Sequence, residues 1–288
     1  MFPIRRLTGK DIPTNLLEIP GPPKVLYYQG KLPDFQQNIF LAVVGSRKYS
    51  SYGREVCEKL IAGLSNYPII IVSGLAIGID TIAHQSALKA GLLTLAIPGS
   101  GLDSRVLYPS TNRELANRIL IAGGCLISES EPSERATIWS FPKRNRLMAG
   151  LCQATLIIEA EEKSGTLITA RLALDYNREV FAVPGSIFSP SSKGTNKLIE
   201  QGATPIMTSE DILRALNFEI KEEKHEEINM KDLSLPEQKI VELLKRENLS
   251  RDEIIRQSKL KITEINSLLM ILEIKGITKE SGGEIHLA

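Results

Sequence analysis

Three cations fall within four residues of the stretch SFPKRNRLMAGL, residues 140–151: Lys143, Arg144 and Arg146. Phe141 precedes them and Asn145 lies between them. Guanidinium and ammonium groups neutralise phosphates, an amide hydrogen-bonds a phosphate or a base edge, and an aromatic ring offers a face for stacking. These are the parts needed to hold a nucleic-acid strand. The same residues also describe a solvated helix start, and their pattern alone is compatible with both.

Elsewhere the chain supplies backbone suited to phosphates. GSRKYSSYG (45–53), SGLAIGID (73–80), PGSGLD (98–103), KSGTLITA (163–170) and PGS (184–186) each follow an apolar run. Glycine lets the main chain approach a ligand closely, and the N-terminus of a following helix carries free N–H groups and partial positive charge. Gly45, Ser46, Arg47 and Gly74 are therefore further candidates for contact with a strand. Two nucleotide fingerprints that would imply a small ligand are absent. No Gly-x-Gly-x-x-Gly follows the first run, and no Gly-x-x-x-x-Gly-Lys-Ser/Thr occurs. No cofactor is expected. Asp80 and His84 stand four apart and read as a carboxylate on a helix dipole with a packed histidine. Glu159 and Glu161 read as helix-terminus or surface charge. No paired carboxylates have an obvious partner nucleophile, so no catalytic residue is assigned. The three cysteines and three histidines are dispersed, which argues against a metal site.

The elements that must position these residues follow from apolar patterning. Continuous runs recur at 39–46, 68–74, 93–100, 124–130, 154–160 and 180–186, separated by segments of helical period. Unbroken apolar runs indicate strands buried on both faces, hence a parallel sheet. The expectation is an α/β fold: a Rossmann-like, doubly wound, mostly parallel sheet over 39–217, with ligands beyond the carboxyl ends of its strands. Residues 1–38, rich in Pro and Gly, read as an extended leader laid on this domain, with a short strand at KVLYY. Residues 218–232, with six acids and three lysines, read as a charged linker. Residues 233–288 give three helices and a Gly-Gly hairpin, a small C-terminal winged-helix domain. Ser250 with Glu253 forms a capping box on its second helix.

Bulk properties bound the partners. The chain has 288 residues and a formal charge of +1, from 35 basic and 34 acidic residues. Residues 1–218 carry 23 bases and 19 acids, whereas 219–288 carry 12 and 15. A polyanion would therefore meet a narrow track rather than a broad basic face. No apolar run approaches the ~18 residues of a membrane span, and the N-terminus lacks a secretory core. Reduced, buried thiols and no secretion signal lead to an expectation of cytoplasmic localisation.

Taken together, VVGSRKYSSYG, IVSGLAIGIDTIAH, AIPGSGLDSRVLYPSTN, SESEP…SFPKRNRLMAGL, EAEEKSGTLITARLA and REVFAVPGSI…GTNKLIEQGA resemble the DNA-processing family DprA, also called Smf. The resemblance runs over about 20–215 in the family's order, and the C-terminal segment is similar to its winged-helix appendage. It implies a homodimer that binds and protects single-stranded DNA without sequence preference. It also implies loading of the RecA recombinase in place of single-strand-binding protein, during natural transformation or homologous recombination. The family's Gly-Ser-Arg falls on Gly45, Ser46 and Arg47, its Ser-Gly-x-Ala-x-Gly-Ile-Asp loop on Ser73 to Asp80, and its Phe-Pro-x-Arg-Asn-Arg on Phe141 to Arg146. Ile77 stands where many relatives have Arg. Residues 1–38 are too short for the sterile-alpha-motif-like domain that many relatives carry.

Two competing functions belong to other classes. "Lonely guy" type phosphoribohydrolases resemble the chain at SGTLIT, 164–169, but have a catalytic Glu where Thr169 stands. A hydroxyl cannot do a carboxylate's work there. A winged-helix regulator that reads duplex DNA would place cations on its third helix. Here that helix is mostly apolar, with Lys261 and Lys275 only at its ends.

Overall fold

The computed structural model describes residues 2–220, 230, 233–281 and 283–287. The chain divides into two compact units, residues 1–220 and 221–288.

The first unit runs β1 (Ile4–Thr8), α1 (Thr14–Leu17), β2 (Val25–Gly30), β3 (Ile39–Val44), α2 (Ser51–Ala62), β4 (Ile69–Ser73), α3 (Ile79–Lys89) and β5 (Thr94–Ala96). It continues through α4 (Arg113–Ile121), β6 (Cys125–Ser128), α5 (Ser140–Leu151), β7 (Ala154–Ile157), α6 (Thr166–Asp175) and β8 (Glu179–Ala182). It closes with α7 (Lys193–Glu200), β9 (Thr204–Pro205) and α8 (Ser209–Ala215). One sheet orders these strands β1-β2-β6-β5-β4-β3-β7-β8-β9. From β3 to β9 every pairing of neighbours along the sheet between β6 and β9 is parallel. The doubly wound α/β sheet expected from the apolar runs is present.

Strand alternation explains why the runs are unbroken. Phe40, Ala42 and Val44 of β3 enter one core layer, with Leu147, Met148 and Leu151 of α5 and Ala170 and Ala173 of α6. Leu41 and Val43 enter the opposite layer, with Leu60 and Ile61 of α2 and Ile79 and Ala83 of α3. A strand covered on both faces has no solvent side to make polar.

Residues 1–38 do more than the extended leader expected. β1 pairs antiparallel with β2, and β2 pairs antiparallel with β6, so the leader adds two strands to one edge of the sheet. Their side chains vary in burial, which is why no continuous run announced β1. The expected linker also begins later than residue 218. Phe218 meets Tyr67 edge to face at 5.4 Å between centroids, and Ile220 packs on the same core layer. The stretch 221–229, with 231 and 232, lies outside the described residues.

The second unit is a winged helix. α9 (Leu235–Leu244), α10 (Arg251–Ser258) and α11 (Ile262–Ile274) accompany a small sheet of β10 (Leu249–Ser250), β12 (Glu284–Leu287) and β11 (Thr278–Ser281). The Ser250–Glu253 capping box is formed, and Ser234 with Glu237 forms another on α9. Ile240, Val241, Ile254, Ile265, Leu269 and Leu272 make the core. On α11, Ile262, Met270, Ile271 and Ile274 remain exposed.

Candidate nucleic-acid interface

Chain order reverses at β3. The strands β3 to β6 step outward on one side, and the chain then returns to the other side of β3 for β7, β8 and β9. The loops after β3 and β7 diverge at such a switch point and leave a crevice at the carboxyl ends. A cleft of about 600 Å³ opens there. The loop after β3 contributes Gly45 to Lys48, α5 contributes Phe141, Arg144 and Asn145, the loop after β7 contributes Ser164, and the start of α6 contributes Thr166 and Thr169.

Arg47 and Phe141 stand at its mouth, and Tyr108 lines a small pocket that adjoins them. The Arg47 guanidinium stands over the Phe141 ring, 5.4 Å from the centroid, and the Tyr108 ring lies tilted 5.7 Å away. The other support of Phe141 is Gly99, where a Cβ would collide with the ring. Tyr108, which sequence reasoning passed over, is exposed. Its loop lies some 30 residues before Phe141, so no local pattern joins the two.

Arg144 lies at the floor, only 7% exposed. One of its nitrogens donates to the Ile97 carbonyl, and Nε donates to Asn145 Oδ1 at 3.1 Å. Burial pushes its pKa down and that of Asp80 up, and in each case the other's charge works against the shift. Asp80 Oδ2 accepts the Gly74 N–H at 3.0 Å and the Ala76 N–H at 3.4 Å. The carboxylate assigned from sequence to the helix dipole thus also serves as the counter-charge for the floor arginine. His84, four residues on, is fully buried with Nδ1 2.7 Å from Thr94 Oγ1, while no described group hydrogen-bonds its Nε2.

This arrangement corrects the expected role of Gly74. Its N–H belongs to Asp80, so it has no amide to offer a phosphate. A Cβ there would overlap the Arg144 guanidinium, which would have to shift. Gly45 and Ser46 do line the cleft. Their carbonyls tie its walls, accepting from Thr166 Oγ1 at 3.1 Å and from the Ile79 N–H at 3.1 Å.

The cation cluster also divides. Arg146 Nη2 meets both oxygens of Glu129, at 2.7 and 2.6 Å, while Nη1 donates to the Gly21 carbonyl at 2.8 Å. Lys143 Nζ stands 3.5 Å from the same carboxylate. Neither side chain lines the cleft. The strand-contact role expected for Arg146 therefore gives way to a structural one: it clamps α5 to the loop after β6 and to the leader.

A second buried carboxylate organises the far wall. Glu159, 1% exposed, accepts from the Ser50 N–H at 2.9 Å, from Ser50 Oγ at 2.5 Å and from Ser191 Oγ at 3.0 Å. It sits at the N-terminus of α2 but is no surface charge. Gly53 gives it room, since a Cβ there would strike the carboxylate. Of the helices bordering the cleft, α2 thus meets Glu159 and α3 carries Asp80 in its first turn, whereas α6 begins with no acidic residue. Among the described residues no cluster of His, Cys, Asp or Glu is suited to a metal ion, and no helix is long and apolar enough to cross a membrane.

Known proteins resemble this chain in sequence and fold. The model of the family described as DNA recombination-mediator protein A matches residues 4–217, and that of the DprA winged helix domain matches 229–283. The DNA processing protein DprA of Streptococcus pneumoniae is 42% identical over 219 residues, covering 75% of each chain. Its X-ray structure superposes with a TM-score of 0.68 over 76% of this chain and 75% of that one, at 41% identity. The DNA processing protein A of Helicobacter pylori, whose structure is described in terms of a unique single-stranded DNA binding mode, gives a TM-score of 0.66 at 31% identity. That match covers 74% of this chain and 95% of that one. With the family's models matched over residues 4–217 and 229–283, the chain belongs to the DNA recombination-mediator protein A family.

Proposed function

We propose that the cleft binds single-stranded DNA without sequence preference and that the chain works as a DNA mediator, with no catalytic step of its own. The observation that carries this reading is the Arg47–Phe141 pair at the cleft mouth. A cation fixed beside an aromatic ring suits a flexible strand, which presents a phosphate and a π-face at every nucleotide. Arg47, Lys48 and Arg144 are the cations lining the cleft. They would meet phosphates, while Phe141 and Tyr108 would meet bases and Asn145 a phosphate or base edge. The DNA-processing names of the relatives and the single-stranded DNA described for the Helicobacter protein support this assignment.

The family resemblance extends it further. A homodimer in the cytoplasm would protect incoming single strands, displace single-strand-binding protein and load RecA during natural transformation or homologous recombination. Two clefts in one dimer would engage two segments of one strand, raising avidity without new contacts.

Particular residues weigh against the other classes. Thr169 stands in the cleft where a phosphoribohydrolase needs a carboxylate, and Asp80 is already engaged by two amides. On α11 the exposed face carries Ile262, Met270, Ile271 and Ile274 rather than cations. Arg251 and Lys275 are paired with Glu280 and Glu237. A duplex-reading helix needs the opposite.

The test is a titration of fluorescent single- and double-stranded oligonucleotides with the full chain at two salt concentrations. Tighter binding of the single strand is expected. With roughly three phosphates neutralised, log affinity should fall against log salt with a slope of about −2. Equal affinity for duplex, or release of free base from a nucleoside monophosphate, would reject the proposal.

A further inference from the structure

The turn that follows β8 holds a large apolar side chain out into solvent. Phe188 is 89% exposed and its neighbour Ile187 is 76% exposed. Neither contributes to a core cluster. Two adjacent apolar side chains so fully presented form an exposed apolar patch, the kind of surface on which contacts are made.

The turn is rigidly built. Asn196 Oδ1 accepts the Gly185 N–H at 3.2 Å, and its Nδ2 donates to the Gly185 carbonyl at 3.0 Å. Ser186 Oγ accepts the Phe188 N–H, and the Ser186 carbonyl accepts the Ser189 N–H. Phe188 is thus displayed by a hydrogen-bonded frame.

That frame is fastened to the cleft. Ser191 at its end and Ser50 at the end of the Arg47 loop donate to the same Glu159 carboxylate. Tyr52 Oη adds a second tie, donating to the Pro184 carbonyl at 2.7 Å. β7, whose following loop forms one cleft wall, separates β3 from β8 in the sheet. Two strand spacings are about 10 Å, so the turn stands beside the cleft on the same carboxyl rim.

The segments bordering the cleft and the turn carry both cations and aromatics. Lys48, Tyr49, Tyr52 and Lys193 are exposed. Lys48 and Lys193 have no ion-pair partner among the described residues. Such a combination is how a surface tracks a single strand without reading its sequence.

We propose that the Ile187–Phe188 turn is a second base-stacking position, which receives the strand as it leaves the cleft and carries it across the ends of β7 and β8. This inference rests on the single-stranded DNA reading of the cleft. Glu161 and Glu162 stand in the loop after β7 and offset Lys163 there. The contribution of Phe188 is therefore stacking, with little effect on the salt dependence.

The experiment compares oligo(dT) of about 5 and about 20 nucleotides, bracketing the ~4–16 that a single-strand-binding module covers. Binding to the full-length chain is followed by fluorescence anisotropy. Phe188→Ala should weaken binding of the longer oligonucleotide by about fivefold or more, with the salt slope unaltered and the shorter oligonucleotide little affected. Phe188→Trp should restore the longer one. Equal affinity of wild type and Phe188→Ala for the longer oligonucleotide overturns the inference. So does a lowered mass of DNA-free Phe188→Ala in sedimentation, which would make the turn a contact between copies. If wild type binds neither oligonucleotide, the cleft reading fails as well. Binding of the short one with no effect at Phe188 rejects the second position alone.

Discussion

The guanidinium of Arg47 lies over the ring of Phe141, 5.4 Å from its centroid, so the cation and the proposed stacking platform of the cleft are one unit. Each holds the other: the ring limits where the guanidinium can go, and the guanidinium covers one face of the ring. Arg47→Ala should weaken binding to every single-stranded sequence and make the salt slope shallower by about 0.7. Phe141→Ala should remove ~1–3 kcal/mol of binding while the slope stays near wild type. The double variant should lose less than the sum, by roughly 0.5–1 kcal/mol, the size of an exposed cation–π contact. Strict additivity in that cycle would show the two side chains acting independently.

Gly74 supplies a different kind of sensitivity. It touches the cleft floor through Arg144 and Asp80, although its own amide is unavailable to DNA. Gly74→Ala should displace the Arg144 guanidinium and cost ~1–3 kcal/mol of stability, as overpacking does. Binding should fall with it, because Arg144 lines the cleft. Thermal unfolding and anisotropy on the same preparation check this. A variant with wild-type stability and wild-type binding would show that the guanidinium moves aside without cost.

Arg146 should separate from its neighbours in the cluster. Its side chain and that of Glu129 are 16% and 17% exposed, and Nη2 meets both carboxylate oxygens. Removing it leaves a largely buried carboxylate short of its partner, at a cost of roughly 1.5–3 kcal/mol. Arg146→Ala should therefore lower the urea midpoint yet leave the salt slope of DNA binding unchanged. A shallower slope with unaltered stability would return Arg146 to the phosphate-binding set.

That separation shows where sequence reasoning stopped. The strands were legible because a doubly covered strand must be apolar at every position, as Leu41 to Val44 are. The cluster 143–146 was legible as charge, but its division was not. α5 begins at Ser140, so the cations already lie on a helix, with Pro142 tolerated in the first turn. At 3.6 residues per turn, Arg144 and Arg146 point to nearly opposite sides. One meets Ile97 at the sheet, the other Gly21 and Glu129. Glu159 was hidden for a related reason. Its partners Ser50 and Ser191 lie 109 and 32 residues away, a closure that only the fold supplies.

His84 gives the fold a dependence on acidity that can be measured without DNA. The ring is fully buried on α3, and burial, helped by the charge of Arg144, pushes its pKa down to about 3. In the unfolded chain an imidazole titrates near 6.5. Between those values the unfolded state binds a proton that the native state refuses. Stability therefore increases with pH across this window and is lost as pH falls from about 6.5 toward 3. From pH 7.5 to pH 5 the loss owed to this one group is about 2 kcal/mol, at 1.36 kcal/mol per pH unit. His84→Asn removes the titrating ring and leaves a polar side chain there. Urea unfolding of wild type and His84→Asn at the two pH values isolates the effect. The difference in stability between them should shift toward the variant by about 2 kcal/mol on acidification. A difference independent of pH would mean that the buried ring accepts a proton in the folded chain.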